Sequence, residues 1–371
     1  MAERLSIAQV YPKADYYTGA ALQLAELAEG LARRGHAVIV VTRPSHAWAS
    51  RLAHAGIAHY AVPMSSEIDL ASVGALARIF KRHRAQIVHA QKGKARTLAL
   101  LAGLVVRFPV LILNRGVSFP LTRFNRLGYT VRRVTAIVAV CESIKRGLIA
   151  SGVRAHKIHV IYSGTDTDRF NPAVDGSAIR RELGLGPHAF VFTQVGVRSW
   201  KGNDDAIDAF ALAAARRPRA RLLIVGARDP RALYERATAR GVRDRVFGLG
   251  YRDDVPEIMA ASGCCVDASW AGLGLTGTLR EALAVETPVI ASDLEGNPEL
   301  VVDGQTGLLF PPRDVAALAA AMGRMMDDPV LGETTARAGR KLVEAKFSTR
   351  AKLAATEDLY RRLLDGPRSQ S

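Results

Sequence analysis

The chain has 371 residues, 49% apolar and 23% charged, with a formal net charge of +16; that is the make-up of a globular protein of about two domains with a full core, and it excludes a disordered chain. Three cysteines (Cys141, Cys264, Cys265) show neither C-x-x-C spacing nor a nearby histidine cluster, which excludes a disulfide framework and points to free thiols in a reducing compartment. The longest apolar run, 98–106, falls short of the roughly 20 residues that cross a bilayer, and no basic-then-apolar leader precedes the first strand-like run.

In chain order, strand-like runs are predicted at 5–10, 37–42, 58–63, 86–89, 110–113, 136–140 and 158–162. Helix-length segments such as 20–34 and 72–83 lie between most of them. The first of these helices stops at Arg33-Arg34-Gly35, two cations and a terminating glycine. The alternation breaks at Asp168-Arg169-Phe170-Asn171-Pro172-Ala173-Val174-Asp175-Gly176, a stretch of linker composition. It resumes with runs at 190–195, 221–225, 245–249, 264–268, 288–291 and 307–310, and with helices that include 204–216 and 279–285. Helical segments fill 314–364. This alternation predicts an α/β protein: two doubly wound domains, each a parallel sheet with helices on both faces. Ligands of such sheets bind beyond the carboxyl ends of the strands, so motifs at strand ends matter most.

The charge is uneven. Residues 1–170 hold 24 of the 51 Lys and Arg but only 9 of the 35 Asp and Glu, so this part carries +15 of the total. Such an excess suits a polyanionic partner: nucleic acid, an anionic membrane surface or a phosphorylated substrate. The alternative is a solvated surface from an Arg-rich proteome.

Four motifs stand at strand ends. Gly196-Val197-Arg198-Ser199-Trp200-Lys201-Gly202 follows the run at 190–195 and precedes a helix. A diphosphate leaving group needs positive charge fixed in place; Arg198 can fork two phosphate oxygens and Lys201 can act as a point charge. The alternative is a basic turn with solvated side chains. Gly272-Leu273-Gly274-Leu275-Thr276-Gly277-Thr278 leads into a second helix, whose first amides can hold phosphate while both threonines add hydroxyls. Glu281 lies about one turn in, where a carboxylate can accept from ribose hydroxyls. Thr18-Gly19-Ala20-Ala21 opens the first helix, and Gly19 would let backbone approach a ligand. Val160-Ile161-Tyr162-Ser163-Gly164-Thr165-Asp166 leads into the linker and suits a hinge.

In this order the four motifs resemble the family 4 retaining glycosyltransferases of the GT-B fold. Glu281-Ala282-Leu283-Ala284 through Thr287-Pro288-Val289-Ile290-Ala291-Ser292-Asp293 is similar to that family's run, followed by Glu295-Gly296-Asn297-Pro298-Glu299 and Asp303-Gly304-Gln305-Thr306-Gly307. Within the family the lipopolysaccharide-core glycosyltransferases look closest in character. The resemblance implies two Rossmann-like domains facing across a cleft: 1–168 on the acceptor side, 169–345 binding the nucleotide sugar, and 346–371 a helix returning towards the first domain. It implies Arg198 and Lys201 as the catalytic cations on the donor diphosphate. Gly19, Gly196, Gly274, Leu275, Thr276, Gly277 and Thr278 would border the donor, Glu281 its ribose, and Gly250 and Tyr251 its base. The donor would be a nucleotide sugar, UDP being commonest in the family, and the acceptor a cell-envelope glycan or glycolipid. No cofactor or metal is expected, because arginine and lysine supply the charge. The expected location is cytoplasmic, at the inner face of the cytoplasmic membrane, with the basic domain against anionic lipid.

Two departures stand out. The family's second glutamate, eight residues before Glu281, is Leu273 here, or Ala271 in the other register. Where many members carry a histidine after the strand at 110–113, this sequence reads Asn114-Arg115-Gly116, and Arg115 can instead meet an anionic acceptor. His89, at the end of a strand, and Lys92 are the other acceptor-side candidates; His89 is equally well read as a structural histidine. Two other functions stay open, the first on the same twin fold and the second from the basic charge. One is a sugar-nucleotide epimerase or hydrolase, which needs well-placed carboxylates. The other is a nucleic-acid-binding protein, against which stands the lack of aromatics among the cations, so no nucleic acid partner is expected.

Overall fold

The computed structural model describes residues 3–15, 18–119, 121–271 and 274–366. The chain divides into two compact units: the first runs to Gly164 and resumes at Thr349, and the second is Thr165–Ser348.

The first unit contains β1 (Ser6–Tyr11), α1 (Gly19–Arg33), β2 (Ala37–Thr42), α2 (His46–His54), β3 (Ala58–Ala61), α3 (Leu70–Arg82), β4 (Ile87–Gln91), α4 (Lys92–Val105), β5 (Val110–Arg115), α5 (Arg123–Thr130), β6 (Ala136–Ala139), α6 (Glu142–Ala150) and β7 (Ile158–Val160). Among the described residues its sheet has seven strands in the order β3-β2-β1-β4-β5-β6-β7, and every pairing is parallel. A parallel sheet must be covered on both faces, which is why strands such as Ala37–Thr42 read as unbroken apolar runs. One face packs Val10, Ile39, Val88 and Leu111 against Leu76, Phe80 and Leu98. The other packs Ile7, Val40 and Ile112 against Leu24, Leu31 and Trp48. Helix starts follow from short polar side chains: Thr18, Ser45 and Asp69 each accept a hydrogen bond from a first-turn amide of the helix they precede.

The second unit contains α7 (Ser177–Glu182), β8 (Phe190–Val195), α8 (Asn203–Ala214), β9 (Ala220–Val225), α9 (Arg231–Ala239), β10 (Val246–Leu249), α10 (Val255–Ala260), β11 (Cys264–Asp267), α11 (Gly277–Ala284), β12 (Val289–Ser292), β13 (Leu308–Phe310), α12 (Val315–Asp327) and α13 (Pro329–Leu342). Among the described residues its sheet has six parallel strands in the order β10-β9-β8-β11-β12-β13. The final helix, α14 (Thr349–Asp365), belongs to the first unit, where Leu359 and Tyr360 close the face beside α1. Two doubly wound, parallel-stranded Rossmann-like units are therefore present, as the alternation predicts.

Two boundaries differ from expectation in ways that matter for function. β4 continues to Gln91, so His89 is inside the strand rather than at its end. The helix expected at 279–285 begins at Gly277, so Gly277 and Thr278 form its first turn and Thr276 becomes its N-cap.

Candidate functional site

In each unit the strand order reverses beside the first strand, between β1 and β4 in one and between β8 and β11 in the other. The connections there leave to opposite sides and open a crevice at the carboxyl ends of the two strands. The sequence motifs lie at these ends.

In the second unit the segment 196–202 joins β8 to α8 and is held at several points. Buried Gln194 donates through Nε2 to the Lys201 carbonyl (3.0 Å) and accepts at Oε1 from the Ala268 amide (3.3 Å). Asn203 Nδ2 donates to the Gly196 carbonyl (3.3 Å), and the Trp270 amide donates to the Trp200 carbonyl (2.9 Å). Gly202 has φ +64°, and a Cβ there would sit 2.0 Å from the Ala268 oxygen. Only glycine lets the segment lie this close to the end of β11. Gly196 has φ +97°, a backbone conformation that favours glycine, and the Lys201 stem packs over it, with Cε 3.4 Å from where a Cβ would stand.

This bracing delivers Lys201 to Asp267, the last residue of β11. Nζ donates to Asp267 Oδ2 at 3.0 Å, while Oδ1 accepts from the Ser269 amide at 2.9 Å. Asp267 is 1% exposed. Its burial alone would raise the carboxyl's pKa; the Lys201 ammonium and hydrogen bonding to Ser269 outweigh that and hold it below the usual carboxylate range. Beneath it, burial pushes the Cys265 thiol up to about 12, with the Asp267 charge adding to the effect. Arg198, the other expected cation, is exposed, and among the described residues it donates only to the adjacent Val197 carbonyl (2.8 Å).

At the start of α11 the Thr276 side chain makes no capping hydrogen bond. Its hydroxyl is buried and has no partner among the described residues. No acidic residue stands in the first turn to satisfy the amides or the helix dipole. An added Cβ on Gly277 would lie 3.5 Å from Arg280 Nη2 and 3.8 Å from Glu281 Oε1, so both side chains turn back along this end of the helix. Burial pushes the Glu281 carboxyl up, opposed by the positive charges of Arg280, Arg169 and Lys201. Gly274 is buried, and Leu275 and Thr278 are half-buried. Ala271 is half-buried; Leu273, the alternative position for the missing glutamate, lies outside the described residues. Gly250 and Tyr251 follow β10, where the Gly226 amide donates to both Leu249 and Gly250 carbonyls, and Tyr251 is exposed.

Sequence reasoning missed four residues of this site. Asp267 and Gln194 brace Lys201, while Arg169 and Arg280 bear on Glu281. A signal for Asp267 existed: an acid closing the otherwise apolar run Cys264–Asp267. Nothing local marks Arg169, which reaches the Asp253 carbonyl (2.7 Å) from the stretch of linker composition.

The first unit treats its candidates differently. Gly19 opens α1 with nothing within 4 Å of an added Cβ, and Thr18 caps that helix itself. His89 is 2% exposed, with Nδ1 2.7 Å from the Tyr360 hydroxyl. Burial, with Lys352 contributing, lowers its pKa to about 3, so the ring is neutral. Gln9 Nε2 donates to the same Tyr360 oxygen (3.0 Å), and Gln91 Nε2 to Gln9 Oε1 (3.4 Å). Enclosed in this way, His89 meets Tyr360 rather than solvent, because a strand residue facing α14 cannot also face the strand ends. Lys92 starts α4 at φ +70°, with Nζ 5.5 Å from the centre of the Tyr11 ring. Burial lowers its ammonium pKa, helped by Lys13. Arg115 ends β5 and donates to the Phe119 carbonyl. Among the described residues no three His, Cys, Asp or Glu side chains gather to hold a metal ion, and no helix is long and apolar enough to cross a membrane.

Known structures share this architecture. A glycosyltransferase from Rickettsia africae superposes with a TM-score of 0.89 at 21% identity over 100% of both chains. HepE of Anabaena, solved in complex with UDP, superposes at 0.86 and 22% identity over 96% of this chain and 100% of that one. The fold is that of the GT-B glycosyltransferases. In sequence, residues 17–169 match the signature of Glycosyltransferase Family 4, and 188–328 that of Glycosyl transferases group 1. The chain is 30% identical over 247 residues to the lipopolysaccharide core biosynthesis mannosyltransferase LpsB of Rhizobium meliloti, covering 64% of this chain and 68% of that one. It is 28% identical over 314 residues, 79% of each chain, to an Escherichia coli UDP-Gal:alpha-D-GlcNAc-diphosphoundecaprenol alpha-1,3-galactosyltransferase. The chain belongs to glycosyltransferase family 4 and is a sugar-transferring enzyme.

Proposed function

We propose that the protein moves a hexose-like sugar from a nucleotide donor, a UDP-sugar, to a cell-envelope glycan or glycolipid such as lipopolysaccharide core, with retention of configuration. The observation that carries this reading is the start of α11: a buried Thr276 hydroxyl with no partner among the described residues, at a helix N-terminus without a side-chain cap, with Glu281 one turn on and its carboxyl within reach of the Lys201 charge. Helix amides and the threonine hydroxyls suit phosphate oxygens, and Glu281 suits ribose hydroxyls. The complex of HepE with UDP and the UDP-Gal donor in the name of the Escherichia coli relative support uracil as the base. LpsB and that relative support an envelope acceptor.

In the reaction Lys201 and Arg198 take up the negative charge that grows on the diphosphate as its bond to the sugar breaks. The acceptor hydroxyl attacks from the face the diphosphate leaves, and its proton passes to the departing phosphate oxygen. No protein nucleophile is assigned. With Ala271 or Leu273 where the family has a carboxylate, sugar hydroxyls are recognised by other groups. Lys92 and Arg115 are the acceptor-side cations of the first unit. Peripheral attachment to anionic lipid is supported by exposed Leu104, Val105, Leu127 and Val131 in this strongly basic part of the chain.

A panel of nucleotide sugars scored by thermal shift, followed by turnover with envelope lipid extract, tests the donor and acceptor. Lys201→Ala should lower turnover by about 100-fold or more, the scale of losing one transition-state donor; unchanged turnover removes Lys201 from the mechanism. Vesicle flotation tests attachment, and equal binding to neutral and anionic vesicles rejects it.

A further inference from the structure

A carboxylate buried directly behind a cation meant for a diphosphate is not an obvious choice, because it neutralises part of the charge the site needs. We infer that Asp267 is a positioning residue: it holds the Lys201 ammonium at one point and one orientation, so that its remaining protons face the donor diphosphate. The inference rests on the proposed role of Lys201.

Three observations bear on it. An ammonium has three protons. One is spent on Asp267 Oδ2, and no other acceptor among the described residues takes Lys201 Nζ. The stem also packs over Gly196, with Cε 3.4 Å from where a Cβ would stand, an ordinary contact distance. Finally, Asp267 is itself held in place: it ends a central strand, its Oδ1 accepts from the Ser269 amide, and Gln194 ties the strand end to the lysine's own carbonyl. A lysine on a four-carbon stem carries large rotamer entropy. Anchoring it before the donor arrives removes that loss from the binding step and from the transition state. Arg198 shows the contrast, being exposed and, among the described residues, tied only to its neighbour's carbonyl.

A purely structural ion pair would also place these atoms together, so the test must separate the two roles. UDP, GDP and ADP are titrated calorimetrically, each against its own monophosphate, on the full chain and on Lys201→Met, Asp267→Asn and Asp267→Glu. The change Asp267→Asn keeps the side-chain volume and an acceptor for the Ser269 amide while removing the charge. For the nucleotide that binds, Asp267→Asn should weaken the diphosphate about tenfold and leave the monophosphate within about threefold. Asp267→Glu should recover most of the diphosphate affinity. In a Lys201→Met background, Asp267→Asn should have no further effect. Equal loss of mono- and diphosphate binding, or full diphosphate affinity in Asp267→Asn while Lys201→Met is impaired, overturns the positioning role alone. If Lys201→Met keeps the wild-type preference for the diphosphate, or if none of the nucleotides binds, the proposed function fails instead.

Discussion

The two units use one strand order and spend their polar groups in opposite ways. At the reversal point of the first unit, the side chains of Gln91, Gln9 and His89 form a chain that ends on the buried Tyr360 hydroxyl: Gln91 donates to Gln9, and Gln9 and His89 both meet Tyr360. At the reversal point of the second, Asp267 and Gln194 also turn inward, but they present a cation: among the described residues, Lys201 keeps protons to donate and the Thr276 hydroxyl has no partner. Topology alone thus supplies a crevice, not a site. What makes a site is whether the buried polar network closes on itself or leaves donors pointing outward.

The sharpest way to break this contrast is at Gly202. Alanine there meets the Ala268 oxygen and a φ of +64°, so it should cost roughly 3 kcal/mol in chemical denaturation and abolish nucleoside diphosphate binding together. A well-folded Gly202→Ala that still binds would mean the segment is not braced as described. In the first unit, Tyr360→Phe removes the hydroxyl shared by Gln9 and His89. It should lower stability by about 1–3 kcal/mol while leaving nucleotide affinity unchanged. A loss of affinity would make that network part of the site.

His89 offers a pH test of the same closed network. Its folded pKa of about 3 lies below the ordinary 6.5, so the unfolded chain binds the proton more readily. The stability it contributes is complete above pH 6.5 and is lost as pH falls towards 3. His89→Gln should therefore lose stability less steeply than the wild type between about pH 6.5 and 4, by about 1.4 kcal/mol per pH unit. Parallel acid limbs in the two melting series would show that the ring charges without penalty. The smallest effect is expected at Thr276→Val: diphosphate affinity falls a few-fold, about 1 kcal/mol, without loss of stability. A hydroxyl with no partner among the described residues has nothing to lose there, so a drop in melting temperature would contradict its unspent state.

Much of the fold was legible because a sheet buried on both faces leaves a plain record. The runs at 37–42 and 190–195 are β2 and β8 without a shift, and the other runs differ by one or two residues at one or both ends. Strand ends were harder to read. Gln91 and Arg115 are polar, yet they continue β4 and β5, because neighbouring strands supply their backbone partners, as Gln91 pairs with Asn114. The start of α11 is hidden for a similar reason: Gly277 has a low intrinsic helix propensity, but Thr276 supplies the non-helical N-cap conformation and the helix begins there. Within the candidate site, Arg198, Lys201, Thr276 and Glu281 stood out as charge or hydroxyl at strand and helix ends. Arg169, Arg280 and Gln194 did not, since their importance comes from neighbours far along the chain.

What the sequence determined by itself was periodic or local: two parallel α/β units, the family and its enzyme class, the concentration of positive charge in residues 1–170, and the glycines and cations gathered at 196–202. The tertiary structure decided which polar groups are spent. His89 and Asp267 look alike in sequence, each a polar residue late in an apolar strand, and both are buried. One meets Tyr360 from the last helix of the chain, 271 residues away, and is enclosed; the other meets Lys201, 66 residues earlier, and holds a cation in place. Partners so distant are chosen by packing and not by local pattern, because burial makes an unpaired polar group too costly and folding alone selects which group satisfies it.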